Sequence, residues 1–123
     1  MVLSLTQRET EEIRRKALEV LYEADRPIRA KTCRAIMNDL NAATTWDDFL
    51  VQIGYLVGEE LVRVFPAGSE EELTGRQEGD YLAVCKRTQW DSSEAGRIML
   101  RIRQKGRRFI EGYEPDVRGV ARS

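Results

Sequence analysis

The sequence predicts an α+β fold in which two consecutive helices lead directly into a strand. Apolar residues recur at three- and four-residue spacing over residues 31–41 and again over residues 46–57, which is the period of a helix with one buried face. Residues 41–44 interrupt this spacing, and residues 61–65 read as a strand. The apolar positions are Cys33, Ile36, Met37 and Leu40 in the first segment and Trp46, Phe49, Leu50, Ile53, Leu56 and Val57 in the second.

Composition limits the classes of protein that fit the chain. Its 123 residues are 41% apolar and 33% charged, as expected for one globular domain. No apolar run approaches the roughly 18 residues of a membrane span, and the first residues lack the basic flank of a signal peptide. We therefore expect a cytoplasmic protein with no membrane contact. There is no histidine and there are only two cysteines, Cys33 and Cys85, so we expect no enzyme, metal site or cofactor.

The N-terminal helix is predicted over residues 7–24. Thr6 and Glu9 form a capping box, in which the hydroxyl and the carboxylate satisfy two free backbone amides. Pro27 ends the helix, since proline disfavours helical conformation in the residue before it. The apolar face of this helix contains Ile13, Ala17, Val20, Leu21 and Ala24.

Three further segments complete the predicted sheet. Residues 27–29 are predicted as a short edge strand, residues 81–87 as a strand after an enlarged loop over 66–80, and residues 97–104 as the last strand. Alternation in the last strand puts Ile98, Leu100 and Ile102 on one face and Met99, Arg101 and Arg103 on the other. A short helix is predicted over 105–111. We expect the domain to cover residues 1–112 and residues 113–123 to form a disordered tail.

Charge is distributed unevenly along the chain. Residues 1–38 contain 8 Lys or Arg and 6 Asp or Glu (net +2), residues 39–80 contain 2 and 10 (net −8), and residues 81–123 contain 10 and 5 (net +5), which sum to the formal charge of −1. The basic C-terminal third is the candidate for binding a polyanion, because local potential rather than net charge attracts it.

Three segments resemble winged-helix regulators of the GntR, MarR and PadR kind: RPIRAK from Arg26, IGYLVGEELV from Ile53 and LRIRQKGRRFIEG from Leu100. The resemblance implies a winged helix-turn-helix with a three-helix core, an antiparallel β wing and a short C-terminal helix. It also implies binding to double-stranded DNA as a homodimer, with the third helix in the major groove. The chain departs from the pattern in its enlarged wing loop and in the acidic residues of its third helix.

Two sets of residues are candidates for DNA contact. Arginine and lysine on the wing and the closing helix can hold phosphates: Lys86, Arg87, Arg101, Arg103, Lys105, Arg107 and Arg108. We expect base contacts from polar residues predicted on the outward face of the third helix: Thr44, Thr45, Gln52 and Tyr55. Asp47 and Asp48 in the first turn would cap the helix but repel phosphates.

Two functions remain open from the sequence. The first is a DNA-binding transcriptional regulator that acts as a homodimer, with Leu3 and Leu5 near the predicted interface along the first helix. The second is a winged-helix module that binds protein and not DNA, which the acidic third helix and the acidic loop favour. A fold alone does not decide between them.

Overall fold

The protein is described by a computed structural model, which covers residues 7–40, 44–66, 98–113 and 117–121. Within these ranges the chain forms four helices and a three-stranded antiparallel sheet. The elements are α1 (Gln7–Ala24), β1 (Ile28–Arg29), α2 (Ala30–Asp39), α3 (Trp46–Gly58), β2 (Val62–Pro66), β3 (Ile98–Ile102) and α4 (Gln104–Ile110). The predicted α+β class is confirmed, and the predicted bounds of α1 are those observed. No helix in the described part of the chain is long and apolar enough to cross a membrane.

Helix α3 begins after a side-chain cap at Thr45. Thr45 has extended backbone angles, and its hydroxyl accepts a hydrogen bond of 3.2 Å from the backbone N–H of Asp48. This side-chain cap satisfies one of the free amides in the first turn. Asp47 and Asp48 lie at the positive end of the helix dipole, where a carboxylate is stabilising.

The sheet has the strand order β1–β3–β2, so β3 lies between two strands that precede it in the chain. Ile28 of β1 and Val64 of β2 both pair with Leu100 of β3. Ile98, Leu100 and Ile102 are buried against the helices, which confirms the predicted inward face of β3.

The core is formed by the inner faces of α1, α2 and α3 together with the inner face of the sheet. Its largest fully buried side chains include Phe49, Leu18, Met37, Ile53 and Leu56. Cys33 is also fully buried, as its position in the apolar pattern predicts, and burial raises the pKa of its thiol to about 12.

Two apolar residues of α2 do not lie in the core. Ile36 is 38% exposed and Leu40 is 52% exposed, although the spacing predicts both on the buried face. Only Ala30, Cys33 and Met37 of α2 are buried. The buried stripe of α2 is therefore narrower than its apolar pattern, and Ile36 and Leu40 lie beside it, where they line an open groove with Val20 of α1 and Ile110 of α4.

The prediction of a disordered tail is wrong for residues 117–121. Val117 and Val120 are buried at 6% and 7% exposure and belong to the hydrophobic core. The backbone N–H of Ala121 donates to the carbonyl of Glu11 at 3.2 Å, so this segment lies along α1. Its packing depends on contacts distant in sequence, which apolar periodicity does not reveal.

Several predictions concern residues outside the described ranges. They are the capping hydroxyl of Thr6, the apolar residues Leu3 and Leu5, the loop over 67–80, the strand over 81–87 and the residues Cys85, Lys86 and Arg87.

Candidate nucleic-acid interface

The outer face of the sheet carries three arginines. Alternation along β2 and β3 sends Val62, Val64 and Leu100 inward, so that the residues between them face outward. Arg63 of β2 lies directly opposite Arg101 of β3, and Arg29 of β1 lies opposite Met99. The three guanidinium groups therefore come from three different strands of one small sheet. We call this surface, with Phe65, the sheet face: Arg29, Arg63, Phe65, Met99 and Arg101.

Charge and apolar surface lie side by side on the sheet face. Arg29, Met99 and Phe65 form one row across the three strands, and Arg101 and Arg63 form the next row. Arg29 and Arg101 are exposed, whereas the other three residues are half-buried. Within the described ranges, no acidic side chain forms an ion pair with Arg29 or Arg101.

This arrangement suits a phosphate ligand. A guanidinium group presents a planar fork of donors that matches two phosphate oxygens. Phe65 and Met99 supply an apolar surface beside the charges.

The predicted phosphate contacts do not share one surface. Arg101 lies on the sheet face, but Lys105 donates from Nζ to the carbonyl of Glu59 at 3.0 Å. The Nη2 of Arg107 lies 2.7 Å from Oδ1 of Asp25. Arg103 is half-buried between β3 and α4, and Arg108 is exposed on α4. Among the predicted phosphate contacts in the described ranges, Arg101 therefore lies on the sheet face, whereas Lys105 and Arg107 contact other parts of the chain.

The predicted orientation of Gln52 and Thr44 is also wrong. Gln52 is 6% exposed, and its Oε1 accepts a hydrogen bond of 2.6 Å from Nε of Arg14. Thr44 is 9% exposed, so neither residue can reach a base edge in this conformation. Tyr55 is half-buried, and its hydroxyl donates to the carbonyl of Arg118. Among the four predicted base contacts, Thr45 alone is exposed, and its side chain caps α3.

The outward face of α3 has little capacity to read DNA. Asp47, Asp48, Val51 and Gly58 are exposed, and Val51 is 47% exposed. Carboxylates repel phosphates, and valine and glycine offer no side-chain hydrogen bond to a base edge. A recognition helix in the major groove normally supplies such donors.

Comparisons with known proteins identify no relative. No protein-family model, no curated protein and no solved structure matches the chain.

In the described part of the chain, no group of three or more His, Cys, Asp or Glu side chains is placed to hold a metal ion.

Sequence reasoning missed Arg29, Arg63 and Phe65 as site residues. The signal was present in β2, where Arg63 and Phe65 alternate with Val62 and Val64. Alternation predicts that both face outward, but only the pairing of three strands shows that they lie beside Arg101.

Proposed function

We propose that this protein binds nucleic acid through the sheet face, and that it is a DNA-binding domain of the winged-helix type. The observation that carries the proposal is the pairing of Arg63 with Arg101, next to the exposed Arg29. Clustered guanidinium groups on one surface are the electrostatic signature of phosphate binding.

The layout of the domain supports the winged-helix assignment. Two helices separated by a short connection, α2 and α3, lead into β2, which pairs with β3. The short strand β1 before α2 completes the sheet. A cytoplasmic transcriptional regulator that acts as a homodimer is the role we propose for such a domain.

The proposal differs from the usual winged-helix mode in the surface used. Since the outward face of α3 is acidic, affinity must come from phosphate contacts of the sheet face and not from base reading by α3. We therefore expect weak sequence preference and a strong dependence on salt concentration.

The test is the binding of a fluorescently labelled duplex of mixed sequence, followed by anisotropy over a series of salt concentrations. Each lost phosphate contact should flatten the slope of log K against log salt by about 0.9. We expect this flattening in Arg29→Ala and in Arg101→Ala. The matched control is Arg8→Ala, because the Arg8 side chain is 89% exposed on α1, away from the sheet.

Three results would count against this proposal. The first is that the duplex does not bind at low salt. The second is that Arg101→Ala has the same salt slope as the wild type. The third is that Arg8→Ala flattens the salt slope as much as Arg101→Ala does.

A second candidate function is protein contact through α3. The observation that favours it is the exposure of Val51 (47%) beside two carboxylates, Asp47 and Asp48. The acidic outward face of α3 would then pair with the basic sheet face of a second copy, in a head-to-tail contact.

A charge exchange tests this second function. If α3 of one copy meets the sheet face of another, Arg101→Glu and Asp47→Lys should each abolish self-association in sedimentation experiments. A mixture of the two variants should restore a pair, because the opposite charges then face each other again. Binding of nucleic acid without any self-association would exclude the head-to-tail contact.

A further inference from the structure

We infer that the sheet face binds single-stranded nucleic acid in preference to a duplex, with Phe65 as the platform on which a base stacks. The inference rests on the proposed function and names the class of nucleic acid.

Phe65 lies where a stacked base would keep its phosphates within reach of arginine. Phe65 pairs with Met99, which in turn pairs with Arg29, so this row crosses all three strands. Arg63 is two residues before Phe65 on β2, and Arg101 is two residues after Met99 on β3. Neighbouring strands lie about 4.8 Å apart, and residues two apart on one strand lie about 7 Å apart. The apolar pair Phe65 and Met99 is thus separated from the cationic pair Arg63 and Arg101 by roughly the dimension of one nucleotide.

A duplex cannot use Phe65 in this way. In a double helix the faces of the bases are stacked on one another, and only their edges are presented in the grooves. An aromatic side chain contacts the face of a base when that base is unstacked, as in single strands and loops. The aromatic residue on the sheet face is therefore of use to a single strand alone.

The width of the sheet also disfavours the major groove. That groove is about 12 Å wide and admits an α-helix or a two-stranded ribbon. The three strands alone span about 10 Å between the outermost backbones, and outward side chains add to this width. The element that could enter the groove, α3, has exposed carboxylates, valine and glycine on its outward face. A broad, basic and partly aromatic surface fits a single strand laid across it.

The decisive experiment compares a labelled 20-mer of mixed sequence as a single strand and as a duplex, by anisotropy over a salt series. An RNA strand of the same sequence counts as a second single-stranded probe. We expect tighter binding of the single strands at every salt concentration. Phe65→Leu should weaken single-strand binding about tenfold, because stacking on an aromatic residue is lost, and should leave duplex binding unchanged. Phe65→Tyr should bind as the wild type does.

The control for a general aromatic effect is Tyr113→Leu, because Tyr113 is 72% exposed and lies beyond α4. It should bind both probes as the wild type does. Circular dichroism of each variant establishes that the fold is retained, and wild-type binding by Phe65→Tyr would show that an aromatic ring at this position is sufficient.

Two outcomes separate this inference from the proposed function. If the duplex binds as tightly as the single strand, or if Phe65→Leu weakens both equally, the inference is overturned, although a salt slope that depends on Arg101 would still support the proposed function. If neither probe binds at low salt, both fail together.

Discussion

The guanidinium group of Arg14 lies 3.6 Å from the centroid of the Tyr55 ring and joins α1 to α3 at the surface of the core. Its Nε donates to Oε1 of Gln52 at 2.6 Å, and its Nη1 donates to the carbonyl of Gly119 at 2.8 Å. The hydroxyl of Tyr55 donates to the carbonyl of Arg118. One arginine thus connects two helices and the C-terminal segment over 117–121, and we expect it to matter for stability.

Replacing Arg14 by leucine should destabilise the domain by about 2–3 kcal/mol. The change leaves the buried oxygen of Gln52 without its donor, which costs about 1–3 kcal/mol, and removes the donor to the half-buried carbonyl of Gly119, which water can partly replace. Arg14→Lys should recover only part of this loss, since an ammonium group lacks the planar fork of donors. Urea denaturation measures the free energy of unfolding of Arg14→Leu and of Arg14→Lys. Arg8→Leu on the same helix should change the midpoint little, and equal effects of the two leucine variants would contradict the assigned role of Arg14.

The C-terminal segment can be tested at Gly119, which has a φ of +80°. A Cβ there would collide with the ring and hydroxyl of Tyr55 and would lie 2.7 Å from Nη1 of Arg14. Gly112 is a matched control, because its φ is +88° and a Cβ there meets nothing within 4 Å. Both alanine variants incur the backbone penalty of about 1 kcal/mol, and only Gly119→Ala adds a steric clash.

We therefore expect a larger loss of thermal stability in Gly119→Ala than in Gly112→Ala. A similar melting temperature for the two variants would mean that residues 117–121 do not pack against α1 and α3 in solution.

The parts of the fold that depend on local sequence were predictable, and the parts that depend on distant partners were not. The bounds of α1 and the cap at Thr45 follow from residues within one helical turn. The spacing in α3 predicts Gln52 on the outward face, away from the apolar stripe, because its partner Arg14 lies 38 residues away and leaves no local signal of burial. The burial of Val117 and Val120 likewise requires α1 and α3 to be in place, since two valines three residues apart make no apolar pattern.

In the candidate site, too, the features that depend on local sequence were predictable and those that depend on distant partners were not. The outward orientation of Arg101 follows from alternation in its own strand, and its exposure confirms it. The grouping of Arg29 and Arg63 beside it required the strand order β1–β3–β2, which places strands distant in sequence next to each other. The sequence predicts Phe65 in a strand and indicates no role for it, because its neighbour on the sheet face, Met99, comes from β3.

Cys33 gives a prediction about pH. Burial raises the pKa of its thiol from 9.0 to about 12 in the folded protein. Below about pH 9 the thiol is protonated in both states and its contribution to stability is fully present. Between about pH 9 and pH 12 the unfolded chain ionises while the folded protein does not, so stability should fall by about 1.4 kcal/mol per pH unit from this group.

The measurement is the free energy of unfolding against pH, for Cys33→Ala and the wild type. Lysine and tyrosine also titrate in this range, so the difference between the two slopes isolates the contribution of the thiol.

A second experiment uses a Cys85→Ser background, in which Cys33 is the remaining cysteine of the chain. A thiol reagent at pH 8 should label the unfolded protein and leave the folded protein unlabelled. Rapid labelling of the folded protein would show that Cys33 is accessible.

The acidic residues of α3 offer a test of which surface makes the proposed contact with nucleic acid. If the sheet face is the contact surface and α3 lies away from it, the double variant Asp47→Asn, Asp48→Asn should change affinity less than twofold at physiological salt. Screening reduces interactions between exposed charges beyond about 8 Å under these conditions. If α3 entered a groove, removing two negative charges next to phosphates should strengthen binding at least tenfold at low salt. The variant should lose about 0.6–2 kcal/mol of stability, because each of the two carboxylates contributes about 0.3–1 kcal/mol at the positive end of the helix dipole. The measurement is fluorescence anisotropy of the double variant and of Arg101→Ala with the same probe. If the double variant binds much more tightly and Arg101→Ala binds as the wild type does, α3 and not the sheet face contacts nucleic acid.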